Sequence, residues 1–128
     1  MALKRQVGLK QGLRYKGGGP MLVWMLHRIS GIGIALFVGL HVLASFSSQM
    51  FGWTLAKSLN TIYESPAFQI VVFFCVLFHA INGLRITTLD LWPKLIEYQR
   101  EAIWVEWAVF IPIYSLAVLV IVSAAAGG

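Results

Sequence analysis

The chain has 128 residues, of which 59% are hydrophobic and only 12% charged, with a net charge of +5; an average soluble domain carries roughly 25% charged residues. A water-soluble domain this short has too little interior to hide so much apolar surface, so lipid or a partner must cover the rest. The one cysteine, Cys75, lies in an apolar stretch and excludes an intrachain disulfide or a cysteine-built metal cluster from this chain alone; it reads as a small buried hydrophobe.

Residues 1–20 are polar and basic and end in Gly17-Gly18-Gly19-Pro20, a run that breaks regular structure and places the first helix start after the proline. This segment reads as a basic inner arm for docking, and the membrane region proper as residues 21–128. The first span is predicted over about 21–46, the second over 67–89 and the third over 103–125, each long enough at about 1.5 Å per residue to cross roughly 30 Å of hydrocarbon. The connection from Ser45 to Pro66 holds a candidate amphipathic helix around Gly52 to Tyr63, and Pro112 is a candidate kink in the third span. The expected fold class is an all-α membrane protein with three transmembrane helices.

The basic residues are distributed by side. Lys4, Arg5, Lys10, Arg14 and Lys16 precede the first span, and Arg85, Lys94 and Arg100 flank the second connection, whereas the first connection has only Lys57 and the end of the chain none. The positive-inside rule puts the N-terminus and second connection in the cytoplasm and the C-terminus outside. The pI of 9.7 therefore points to membrane topology, and no nucleic acid is expected as a partner. The basic stretch is too long, and the apolar segment too complete, for a secretory signal.

Ionisable groups at bilayer depth are costly and rarely retained without a role; His27, Arg28, His41 and His79 need explanation. His79 lies about 18 Å from the inner surface by residue count, near mid-membrane. A neutral imidazole there ligates a metal through one ring nitrogen while the other donates to a carbonyl, or simply bonds two helices together. Gly83, one turn below, leaves room for a flat macrocycle. His41 lies roughly 27 Å from the inner surface, near the outer edge, where water is close. His27 and His41 are fourteen residues apart and share a helix face with Gly31 and Ala35, a small polar face suited to close packing or a cofactor. His27, Arg28 and Arg85 lie toward inner helix ends, where snorkelling explains a charge; alternatively the guanidiniums bind carboxylates or polarise a carbonyl. Ser30 offers a hydroxyl to the same carbonyl or bonds back to its helix, and Asp90 is a solvated helix-end carboxylate or a proton relay.

Leu26-His27-Arg28-Ile29-Ser30-Gly31, followed by His79-Ala80-Ile81-Asn82-Gly83-Leu84-Arg85 and Asp90, resembles the cytochrome b anchor of succinate dehydrogenase and fumarate reductase, and the layout covers nearly the whole chain. The resemblance implies a helical bundle completed by a second membrane anchor subunit, with an iron-sulfur subunit and a flavoprotein subunit docked on the inner face, a trimer of the whole complex as its assembly, and the cell inner membrane as its location. His79 matches the haem b axial ligand. Arg28 and Ser30 match the quinone pocket, with His27 and Arg28 approaching the haem propionates. Trp24 stands where many members have serine, and Ile86 where they have a second histidine, while Asp90 is a candidate for the quinone or proton path. His41 matches the first-span histidine of members with two haems, which makes it a candidate second iron ligand. Electron transfer to quinone, with no catalytic side chain of its own, is the implied activity. The rivals are a proton-relaying transporter subunit and a haem-free structural anchor.

Overall fold

The computed structural model describes residues 8–14 and 16–127; Lys4 and Arg5 of the basic arm lie outside them. A short helix α1 (Leu9–Leu13) precedes α2 (Gly18–Phe51), α3 (Thr54–Tyr63), α4 (Pro66–Leu91), a 3₁₀ segment (Pro93–Tyr98) and α5 (Gln99–Gly127). Three of these helices are long and apolar enough to cross a membrane, and α4 stands in the middle, packed on α2 on one side and α5 on the other.

The helices run past the spans expected from hydropathy. α2 begins at Gly18, before Pro20 rather than after it, because a proline in the first turn gives up an N–H that would be unpaired anyway. Its other end is set by Gly52, at φ +66°, whose N–H donates to Ser48 O; this left-handed cap suits glycine. α4 starts on Pro66 at its first turn, and its end is fixed by Pro93, which biases Trp92 away from helix; Trp92 has φ −124° and ψ 79°. α5 continues through Pro112. The amphipathic α3 forms where the sequence placed it, held to α2 through Ser45 Oγ and Asn60 Oδ1 at 3.3 Å.

In lipid the apolar effect does not drive helices together; close packing and interhelical hydrogen bonds do. Between α2 and α4 the close approach comes from glycines. A Cβ at Gly33 would stand 2.9 Å from Cys75 Sγ, and one at Gly31 2.9 Å from His79 Cε1. Between α4 and α5 the contact is aromatic. Phe74, Phe78, Trp107, Phe110 and Tyr114 form a run of edge and stacked pairs at 5.3–5.7 Å, and Tyr114 Oη donates to Ile70 O at 3.1 Å. Val23, Phe78, Ile103 and Phe110 are the closed apolar core. Most other apolar side chains face outward, as a surface that lies in a bilayer requires.

Candidate functional site

The α2–α4 seam carries the polar groups. One turn of α2 presents His27, Ser30 and Gly31, and α4 answers with His79 and Gly83. The rings of His27 and His79 stack with centroids 4.0 Å apart and an interplanar angle of 5°. His79 Nδ1 is 3.1 Å from His27 O and 3.3 Å from Ser30 Oγ, and Ser30 Oγ donates to His27 O at 2.9 Å. A carbonyl only accepts, so His79 Nδ1 carries the proton and donates to it. The hydroxyl of Ser30, whose own proton points at the same carbonyl, takes the second share of that N–H. The tautomer follows: Nε2 of His79 holds the lone pair.

Gly31 makes this arrangement sterically feasible, since any side chain there would meet the imidazole. Gly83 faces His27, with a notional Cβ 3.8 Å from its Cε1, so it makes room for the histidine pair. His79 is half-buried, covered by α2 on one side and open on the other. Among the described residues no three His, Cys, Asp or Glu side chains converge. What the chain provides is a single oriented imidazole with one ring nitrogen free to bind a metal. The residues fit a haem ligated from one side.

The other expected site residues separate into four places. Arg28 and Trp24 lie beside the histidine pair on the exposed flank of α2, the guanidinium carbon 4.2 Å from the indole centre. That contact holds Arg28 in place on an aromatic face. Ser30, only 1% exposed, is engaged inside the seam. His41 is exposed, about 21 Å along α2 from His27, with its ring edge-on to Tyr63 at 5.5 Å; it lines a groove of about 700 Å³ with Phe37, Tyr63, Phe68 and Gln69. Asp90 is exposed near the C-terminal end of α4, about 16 Å along the helix from His79, and is not brought to the histidine pair.

Sequence reasoning did not single out Glu106. The third apolar stretch holds this one acid, 3% exposed, and Arg85 on α4 donates from Nε to its Oε2 at 2.7 Å. Arg85 also donates to Asn82 Oδ1, from Nη2 at 2.7 Å and from Nε at 3.2 Å. It therefore does not snorkel to the surface: its head is tied inward. The signal was a lone base in the second span and a lone acid in the third.

The family model described as "Succinate dehydrogenase/Fumarate reductase transmembrane subunit" matches residues 1–125. The chain is 35% identical over 100 residues, 76% of its own length and 73% of the relative's, to the membrane subunit SdhC of succinate dehydrogenase 2 of Mycobacterium tuberculosis.

Proposed function

Since the chain belongs to the transmembrane subunits of succinate dehydrogenase and fumarate reductase, we propose that it is the cytochrome b anchor of a succinate:quinone oxidoreductase, holding haem b and part of the quinone pocket. The observation that carries this reading is the His79 imidazole. Its Nδ1 is committed to His27 O, and its Nε2 lone pair is left for iron.

Each residue near the seam takes a part. His79 would supply one bond to the haem iron, with the second anchor supplying the other from the open side. Ser30 and the His27 carbonyl hold the ring orientation and, by accepting its Nδ1 proton, make the ligand more electron-rich. His27 backs the ring and, with Arg28, faces the haem propionates. Arg28, steadied on Trp24, donates to a quinone carbonyl at the inner face, while Ser30, whose hydroxyl is turned to His27 O, stays inside the seam. Asp90 lies on the aqueous side of that pocket as a proton source. A bound haem stores and passes single electrons, and the protein tunes its potential through burial and the axial ligand's hydrogen bond.

The chain works as an anchor within a complex that also contains the second anchor, the iron-sulfur subunit and the flavoprotein, its basic arm and Arg100 meeting the iron-sulfur subunit inside. The C-terminus lies outside, and the whole complex assembles as a trimer in the cell inner membrane. His41 supports a second haem near the outer face, since it sits at the polar end of a groove large enough for one. Purification through a tag on this chain tests the reading. It predicts co-purification of the three partners, a b-type spectrum and quinone reduction driven by succinate; a haem-free complex would leave only an anchor. If two haems are counted, His41→Ala should reduce the count to one.

A further inference from the structure

The short helix α3 lies in a connection between spans, yet it packs along the last turns of α2 in the opposite direction. Trp53 at its start stacks on Phe51 at 5.3 Å, Asn60 Oδ1 meets Ser45 Oγ at 3.3 Å, and the ring of Tyr63 at its end stands edge-on to His41. α3 thus runs back along α2 from Phe51 to the level of His41. Arg28 is the last charged residue of α2. His41 lies roughly 20 Å beyond it along the helix and Ser48 roughly 30 Å, which is the thickness of a hydrocarbon core. The C-terminal half of α3 therefore stands at a depth that lipid occupies.

The helix has three faces. Ala56 is buried, and Asn60 and Tyr63 on the same face reach α2. Leu55, Leu59 and Ile62, at helical spacing, form an apolar stripe on which Leu55 is 72% and Ile62 55% exposed. Trp53, Phe51 and Phe46, in contact one with the next and all exposed, carry that apolar surface onto the lipid-facing flank of α2. Thr54, Lys57, Ser58 and Thr61 form a polar stripe. Ser58 Oγ donates to Thr54 O at 3.1 Å and Thr61 Oγ1 to Lys57 O at 3.2 Å, so these hydroxyls are satisfied within the helix, as a boundary poor in water requires. Lys57 is the one charged residue between Arg28 and Glu64, and its long stem lets the ammonium reach out to headgroups.

We propose that α3 is an interfacial lipid-binding helix: Leu55, Leu59 and Ile62 lie against the acyl chains of the leaflet in which α2 ends, and Lys57 pairs with phospholipid phosphates at its surface. Trp53 and Tyr63 bracket the helix as interfacial aromatics do, and a half-immersed amphipathic helix buries its apolar face to about this depth. The proposal rests on the membrane placement of the chain alone and not on haem or quinone.

The test places a nitroxide label at single cysteines in a Cys75→Ser background, with the assembled complex in vesicles of phosphatidylcholine and phosphatidylglycerol. The Cys75→Ser parent without an added cysteine gives the background from other subunits. Collision with oxygen, which partitions into lipid, is compared with collision with a water-soluble nickel chelate. Labels at Leu55→Cys and Ile62→Cys are expected to favour oxygen severalfold over labels at Lys57→Cys and Ser58→Cys, with Ile62→Cys the deeper of the two. All four positions are exposed, so the packing of α3 on α2 is kept. Nickel collision at Leu55→Cys and Ile62→Cys as frequent as at Lys57→Cys would overturn the proposal by placing the stripe in water. Immobile labels there that meet neither reagent would overturn it by placing the stripe against another protein, a second copy or a different subunit.

Discussion

At the residue scale the account turns on one hydrogen atom of His79. A carbonyl and a hydroxyl on α2 fix it on Nδ1, and the neighbouring Gly31 is what lets the ring reach them. Gly31→Ala puts a methyl 2.9 Å from Cε1, so the ring or the helix must shift, at a cost of about 1–3 kcal/mol. Haem content is expected to fall while far-ultraviolet circular dichroism stays helical; full haem with an unaltered spectrum would show that the seam yields freely. Ser30→Ala removes the second acceptor but not the carbonyl. It should leave the haem bound and shift its midpoint potential, measured by redox titration. The two histidines were legible from sequence because an ionisable group in an apolar run announces itself. Their stacking was not, because residues 27 and 79 meet only through the register between two helices, which Gly31 and Gly33 set.

At the element scale the α4–α5 pair is held by aromatics and by one buried ion pair. Removing one partner of such a pair leaves the other charge unpaired and costs about 3–5 kcal/mol, whereas replacing both by apolar groups is often neutral. Arg85→Met alone should therefore lower the melting temperature of the detergent-solubilised complex sharply, and adding Glu106→Leu should restore it. A single variant as stable as wild type would show that Glu106 finds another partner. Gly52, with its positive φ, ends α2 and turns the chain into α3; an alanine there costs about 1–2 kcal/mol and is expected to loosen α3 without disturbing the histidines. Helix existence and order were readable from hydropathy, and so was α3. The helix ends were not, because hydropathy marks where lipid begins while hydrogen bonding and the caps at Gly52 and Pro66 decide where helix begins. Arg85 illustrates the same limit: it reads as a snorkelling base until Glu106 is brought opposite.

At the scale of the whole molecule, α2, α4 and α5 leave a broad apolar exterior and a histidine open on one side. The family places the chain in a membrane complex, and charge placement predicts an orientation with the N-terminus inside. In a Cys75→Ser background, Lys10→Cys should react with an impermeant maleimide only from the inner side and Ser123→Cys only from the outer; the reverse pattern would invert the topology. Residue spacing could not reveal that the His79 ring is covered on one side only. The most direct measurement is a dithionite-reduced minus oxidised spectrum, with pyridine haemochrome quantification, of the complex carrying His79→Ala beside wild type. The account predicts a b-type signal in the wild type and loss of one haem per copy in the variant, with any remaining signal abolished by His41→Ala. An undiminished haem count in His79→Ala would contradict it.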